Sequence, residues 1–343
     1  EEKRTLVKYV GWGAFAQDVF AYHKPEWKAE RDALAALLSE EEYAEARKST
    51  LNAHYTSPEV IMGMWDAMQH LGFKGGYAIE PSAGVGHFIG LIPEKIASRT
   101  GWTGVELDPT TGAILKLLYA GADINVQGFE TLQRPANFYD IAISNVPFGN
   151  YTLTEKQYGK WSIHDFFFIK SLDKIRPGGV VAFITSRYTM DKEDASVRKA
   201  ISKAGGDLLG AIRLPGGKEG AFSGNAGTQV TTDIIFIRKR VPGEAAVADA
   251  KWHGLKEIQT DDGPIQINAY FADNPSMMLG EMKLQGTQYR QNEPVLIDNG
   301  AMENIRQAIA EAAQKLPPDA ITERGFAPPP VQHEILDADG VKE

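Results

Sequence analysis

An α/β chain built on a mostly parallel sheet is what this sequence predicts, on three observations. From Gly76 to Arg240, short apolar runs alternate with helix-like segments. The first of those runs ends in the glycine-rich loop Glu80-Pro81-Ser82-Ala83-Gly84-Val85-Gly86. The fourth ends in Ser144-Asn145-Val146-Pro147-Phe148-Gly149. Strand–helix alternation covers both faces of a parallel sheet with helices. The carboxyl ends of such strands are where open α/β sheets bind ligands.

The elements follow in order. Residues 1–50 read as a helical N-terminal arm, with Gly11-Trp12-Gly13 and then a polar, Ala-, Glu- and Leu-rich stretch from Lys24 to Lys48. Ser57 suits an N-cap and Pro58 the first helical position. They open a helix from Glu59 to Leu71 that buries Val60, Ile61, Met64 and Met68. Candidate strands are Tyr77–Glu80, Trp102–Glu106, Ile124–Val126, Tyr139–Ser144, Val180–Thr185, Leu208–Arg213 and Thr232–Arg238. Candidate helices are Gly86–Ser98, Thr110–Tyr119, Ile163–Ile175 and Ala195–Ala204. Arg176-Pro177-Gly178-Gly179 ends one helix and turns into the next strand. Seven strands exceed a minimal nucleotide-binding sheet by one, and the last two are placed to form an antiparallel hairpin at its edge. Beyond Val241 the signals weaken to a short strand at Gln266–Phe271, an amphipathic helix at Ala301–Lys315 and proline-marked extended chain. The organisation is therefore an arm (1–50), a central domain (51–240) and an irregular, acidic C-terminal extension (241–343).

Composition bounds the function. At 343 residues, 43% hydrophobic and 24% charged, the chain is ordinary for a globular protein. No apolar run approaches the ~20 residues that span a bilayer, which argues against a membrane role. Zero cysteines exclude disulfides and thiolate metal sites. No carboxylate–histidine cluster has metal spacing, so no metal is expected. The first residue is Glu1 rather than Met, so a piece of a longer polypeptide is expected. From Val241 onward 8 Lys and Arg face 17 Asp and Glu, which accounts for the whole net charge of −9. The preceding part holds 28 of each sign, so its composition lends nucleic-acid binding no support.

The loop after the first strand needs glycine because backbone must approach a ligand and turn sharply into a helix. A dinucleotide loop requires Gly-x-Gly-x-x-Gly; here Ile89 occupies the third position and Gly90 comes one residue late. Glu80 would repel a pyrophosphate but suits an ammonium group, which moves the reading toward S-adenosylmethionine. Glu106, ending the second strand, is placed to accept from both ribose hydroxyls, the alternative being a solvated strand-end acid. Gln127-Gly128-Phe129-Glu130 follows the third strand, where an adenine would lie, although Phe129 fits core packing equally well. Asp140 reads as structural.

The exocyclic amine of adenine is a poor nucleophile because its lone pair is delocalised into the ring. Two acceptors on its hydrogens would localise that lone pair toward an electrophile. Asn145 can supply one, the carbonyl of Val146 or Pro147 the other, and Phe148 can stack on an extruded base. Phe222 is a candidate for the opposite face of that base. Lys156, Lys160, Arg187, Lys192, Arg198 and Lys199 are candidates for phosphate contacts, and His54, His87 and His164 read as packing or surface residues.

With those residues in view, the segment from Asn52 to Arg240 resembles the DNA amino-methyltransferases. The order Tyr55-Thr56-Ser57-Pro58, cofactor loop, Asn-Val-Pro-Phe is similar to the gamma-type adenine-N6 enzymes. Ile163-His164-Asp165-Phe166-Phe167-Phe168 followed by Gly178-Gly179 looks like type I modification subunits. The resemblance implies a Rossmann-like, seven-stranded, mostly parallel sheet (the class I methyltransferase fold). It implies S-adenosyl-L-methionine held by Tyr55, Thr56, Glu80, Ala83, Gly84, Gly86, Glu106, Gly128, Phe129 and Glu130. It implies catalysis by Asn145, Val146, Pro147 and Phe148, with methyl transfer to N6 of an adenine flipped from duplex DNA in the cytoplasm of a bacterial or phage-infected cell. Gly11-Trp12-Gly13, the valine variant and Tyr270-Phe271-Ala272-Asp273 look like the methyltransferase part of large phage and plasmid proteins that also carry a helicase. A helicase region or a target-recognition partner outside this chain is then expected. Two other activities fit the same residues: methylation of a protein glutamine amide, and an inactive cofactor-binding module that docks DNA. Val146 stands where the family has a first proline. Both residues favour extended backbone before Pro147, so Val146→Pro is expected to preserve or raise activity unless the restored N–H holds a neighbouring loop or the substrate.

Overall fold

The computed structural model describes residues 2–9, 19–48, 56–149, 151–223, 230–246, 250–286, 292–324, 336–337 and 340–341. Along the chain run β1 (Gly76–Glu80), β2 (Thr100–Glu106), β3 (Asp123–Val126), β4 (Tyr139–Asn145), β5 (Thr152–Glu155), β6 (Gly159–Ser162), β7 (Ile175–Ser186), β8 (Gly206–Leu214) and β9 (Thr232–Lys239). Seven of these form one sheet in the order β3-β2-β1-β4-β7-β9-β8, while β5 and β6 pair separately as an antiparallel hairpin. The pairs β1–β2, β1–β4, β2–β3 and β4–β7 are parallel, and β9 runs antiparallel to both β7 and β8. This is the expected Rossmann-like sheet with its antiparallel hairpin, β9 lying inside and β8 forming the edge.

Local chemistry accounts for where elements start and break. Ser57 caps the Pro58–His70 helix by accepting from the Val60 N–H at 3.4 Å. That helix buries Val60, Ile61, Met64, Trp65 and Met68, and Trp65 donates its indole N–H to the Phe88 carbonyl at 3.1 Å. The helix expected over Gly86–Ser98 is two short pieces, His87–Gly90 and Glu94–Ala97. Pro93 separates them, because it lacks an N–H and disfavours helical backbone in the residue before it. Arg176–Gly179, expected as a turn, is carried within β7; the β4–β7 register shifts between Tyr139 and Ile141, and Gly178 takes a φ of 78°.

The N-terminal region is helical over Glu2–Leu6, Lys28–Leu37 and Glu40–Lys48, with Val19 and Phe20 in a small cluster beside Trp27, Leu34 and Tyr43. Gly11–Gly13 lie outside the described residues. The C-terminal segment is more regular than its sequence suggests. It contains the antiparallel hairpins β10 (Leu255–Thr260)–β11 (Gly263–Asn268) and β12 (Glu281–Gln285)–β13 (Glu293–Ile297), and the helix Ile305–Ala313. Its side chains join the core of the sheet: Trp252, Ile267, Phe271, Leu296, Ile305 and Ile309 belong to one buried cluster with β1, β4 and β7.

Candidate functional site

The strand order reverses between β1 and β4, and the crevice at such a switch point opens at the carboxyl ends of the strands. Glu80 ends β1 in register with Gly104 of β2, and Ile79 lies beside Ala142 of β4. Glu80, Glu106 and Asn145 therefore end three adjacent parallel strands. Ser144 Oγ donates to the Ser82 carbonyl at 3.1 Å, tying the end of β4 to the glycine loop.

The two loop glycines serve different needs. Gly84 has a φ of 56°, and a Cβ there would meet nothing within 4 Å, so this backbone faces open space. Gly86 has a φ of 84°, and a Cβ would come within 2.4 Å of the Tyr119 ring. Gly84 thus leaves room for a ligand, while Gly86 permits close packing of loop on helix. The Gly84 N–H donates to Glu106 Oε2 and the Asp108 N–H to Glu106 Oε1, both at 2.8 Å. Burial raises the Glu106 carboxyl above its ordinary range, against the pull of those backbone donors. A carboxylate has about four acceptor sites, which leaves room for a hydroxyl beside these backbone donors.

Glu80 is 2% exposed, and its Oε2 has no hydrogen-bond partner among the described residues. Burial first, then the charge of Glu106, hold its carboxyl well above the usual carboxylate range, while a backbone bond to Ile89 works the other way. A buried acceptor without a donor is costly. An ammonium group arriving at the switch point would supply the missing donor and charge. The orphaned carboxylate oxygen, the open Gly84 backbone and the Glu106 carboxylate together fit the amino-acid and ribose parts of S-adenosylmethionine.

Asn145 is 9% exposed, and its Nδ2 donates to Thr56 Oγ1 at 3.0 Å. In this orientation Oδ1 is the acceptor end of the amide. Thr56 reaches it from the residue before the Ser57 cap, so the segment preceding the helix joins the site; Tyr55 and His54 lie outside the described residues. Val146 is buried and donates its N–H to the Ile184 carbonyl at 3.1 Å, extending the β4–β7 ladder by one bond. Pro147 and Phe148 are half-buried and Gly149 is exposed. Ala83 is buried, its N–H bonded to the Val105 carbonyl at 2.9 Å.

Several of the other candidates lie in packing roles. Gly128 precedes the turn Phe129–Thr131, but the Phe129 ring is 2% exposed, with the Phe167 ring 5.0 Å away. Phe222 is 1% exposed within the core rather than open to a base. Arg187 and Arg198 are buried rather than poised for phosphates: Arg187 pairs with Glu293 at 3.4 Å, and Arg198 bonds the carbonyls of Thr189, Lys192 and His253. Lys156, Lys160, Lys192 and Lys199 are exposed. His87 is half-buried against the Val7 carbonyl at 3.1 Å, and His164 is buried beside Ser162 and Asp165. Asp140 is structural: it accepts from the Tyr77 N–H at 2.7 Å and from Arg176 at 2.6 Å. Sequence reasoning missed the β5–β6 hairpin and the buried Lys170, although Gly159 in Tyr158-Gly159 and the alternation Thr152-Leu153-Thr154 were its signals. Among the described residues no group of three His, Cys, Asp or Glu side chains could hold a metal, and no helix is long and apolar enough to cross a membrane.

No family model matches the chain. It is 30% identical over 203 residues, 57% of its length, to the "Defense against restriction protein B" of Escherichia phage P1, and spans only 9% of that relative. Among solved structures it is similar to the methyltransferase subunit of a type I restriction-modification system from Streptococcus thermophilus, at 15% identity and a TM-score of 0.48, over 81% of this chain and 60% of that one. It is also similar to the M protein of the type I restriction enzyme EcoKI, at 15% identity and a TM-score of 0.45, over 70% of this chain and 57% of that one. Those likenesses are loose, and the fold of this chain rests on its own strand order and register.

Proposed function

We propose that this chain binds S-adenosylmethionine at the carboxyl ends of β1 and β2 and methylates an exocyclic amine held at Asn145, the substrate being N6 of an adenine in DNA. The observation that carries the reading is the orphaned Glu80 carboxylate beside the open Gly84 backbone and Glu106, one strand away from Asn145. When bound, S-adenosylmethionine supplies an electrophilic methyl group. Glu80 holds the ammonium, Glu106 the ribose hydroxyls, and the Gly128–Glu130 turn borders the adenine. Asn145 Oδ1 and the Val146 or Pro147 carbonyl accept the hydrogens of the target amine, localising its lone pair. Phe148 stacks on the base after it leaves the duplex. DNA is favoured as substrate by the order of Thr56-Ser57-Pro58, the glycine loop and Asn145-Val146-Pro147-Phe148 along the chain, and by the likeness to a phage protein named for defence against restriction.

The test is calorimetry with S-adenosylmethionine, followed by transfer of labelled methyl to duplex DNA or to cell-extract protein. Binding without a metal and labelled N6-methyladenine are expected. Asn145→Ala should abolish transfer with cofactor affinity nearly unchanged, because that amide faces the target rather than the cofactor. Label on protein glutamine would replace DNA by protein as substrate. Binding without any transfer would leave a docking module, and preference for NAD would overturn the cofactor.

A further inference from the structure

Between the proposed adenine turn and the hairpin that follows Phe148 lies a buried cation with no part in the reading above. Lys170, on the helix Ile163–Lys174, is 1% exposed. Its ammonium donates to the Glu130 carbonyl at 2.8 Å and to Glu155 Oε2 at 2.9 Å. It also stands 5.4 Å from the ring centre of Phe129, 5.5 Å from that of Tyr158 and 6.0 Å from that of Phe166. Burial pushes its pKa down, and the bond to Glu155 pushes it back up.

The partners belong to two different segments. Phe129 and Glu130 form the turn after β3; Glu155 ends β5 and Tyr158 lies between β5 and β6. Strand β5 lies against the Phe129–Thr131 turn. The chain leaving Asn145-Val146-Pro147-Phe148 thus folds back toward the proposed cofactor side. Tyr151, at the start of that return, feels the Glu130 charge, which adds to burial in raising its hydroxyl pKa. Its carbonyl accepts the Ile163 N–H at 3.1 Å, anchoring the hairpin to the helix that carries Lys170. An ammonium has three donors, and aromatic faces replace part of its lost hydration, so one side chain can hold both segments at once. Removing it would leave Glu155 and the Glu130 carbonyl without their buried donor.

We propose that Lys170 is a positioning residue that couples cofactor occupancy of the Gly128–Glu130 turn to the placement of the β5–β6 hairpin, and through it to the loop bearing Phe148. The proposal rests on the S-adenosylmethionine reading. Ordering of the turn by a ligand fixes the Glu130 carbonyl, Lys170 carries that restraint to Glu155, and the hairpin tightens. Such coupling is reciprocal for binding.

Hydrogen exchange on the full chain, with and without S-adenosylhomocysteine, tests it. In the wild type the ligand should slow exchange in the loop 81–86 and also in the hairpin 152–162. In Lys170→Met the loop should still respond while the hairpin response disappears. Glu155→Gln, which leaves the buried lysine in place, should weaken the same response, and it carries the decision if Lys170→Met does not fold. Both variants should lower kcat about tenfold when rates are normalised to the number of S-adenosylhomocysteine-binding sites, a normalisation that removes any loss of folded protein. A wild-type hairpin indifferent to a ligand that protects the loop would overturn the coupling and leave the cofactor reading intact, as would variants that keep the hairpin response. If neither loop nor hairpin responds in the wild type, the cofactor reading itself fails and this proposal with it.

Discussion

Val146 donates its N–H to Ile184 in the neighbouring strand, and that bond changes what a proline there would do. Proline would keep the extended backbone but remove one ladder hydrogen bond and leave the buried Ile184 carbonyl without its donor. The sequence left open that the Val146 N–H holds a neighbouring segment, and since it does, Val146→Pro is expected to lose activity rather than preserve or raise it. The variant should lose about 1–3 kcal/mol of stability and also methyl-transfer rate, read from denaturant titration alongside single-turnover assays; unchanged stability with full rate would rule this out. Glu80 makes a second prediction at this scale. Its folded pKa is raised by burial and by Glu106, so the folded chain binds a proton that the unfolded chain releases earlier. That contribution is full below the unfolded carboxyl pKa and is lost as pH rises through the folded value. The unliganded protein should thus weaken as pH climbs above the ordinary carboxylate range. Glu80→Gln should flatten this slope without abolishing it, because Glu106 shifts in the same direction. Urea midpoints of both proteins across that window provide the check, and identical slopes would count against a buried Glu80 with one unpaired oxygen.

The Pro58–His70 helix meets the Ile305–Ala313 helix at Gly63, where a Cβ would come within 2.9 Å of the Ile309 Cβ. A glycine inside a helix costs roughly 1 kcal/mol relative to alanine, and here the close approach of the two backbones offsets it. Arg306 and Asp66 flank the same contact with an ion pair at 2.8 Å. Gly63→Val should force the helices apart and destabilise the protein by about 1–3 kcal/mol, measurable as a shift in the urea midpoint; a neutral result would mean that the C-terminal helix yields freely. Both helices were legible from their apolar spacing. Their pairing was not, since either stripe could have packed on the sheet. The β5–β6 hairpin went unread for a similar reason: it is short and half-exposed, so its alternation carries few apolar residues.

Across the whole molecule, the acidic C-terminal segment is bound in by buried polar groups beside the sheet and by backbone hydrogen bonds. Arg213 and Asp233, neighbours across β8 and β9, are fully buried with Asp191. The Asn268 N–H bonds Asp191 at 2.9 Å, and the Phe271 ring centre lies 4.2 Å from the Arg213 guanidinium. Farther on, the Ile321 N–H bonds the Leu71 carbonyl at 2.8 Å and the Thr322 N–H bonds the Gly178 carbonyl at 3.1 Å. A chain truncated after Arg240 would open this charged cluster and one face of the first long helix to water, and it should melt without cooperativity or aggregate. Calorimetric scans of the 1–240 piece would decide; a sharp transition at the full chain's Tm would show the segment to be dispensable. The sequence by itself determined the sheet, the chain positions of its loops and the chemistry at three strand ends, because strand periodicity, glycine turns and proline breaks are preferences of residues close together along the chain. Only the tertiary structure decided that Glu80 is orphaned, that the Val146 N–H belongs to the sheet, that Phe129 and Phe222 are core and that Lys170 joins two loops. Each of those depends on a partner brought from elsewhere, as the Leu316 carbonyl is brought to His70 across 246 residues, and no local pattern encodes which distant group will arrive.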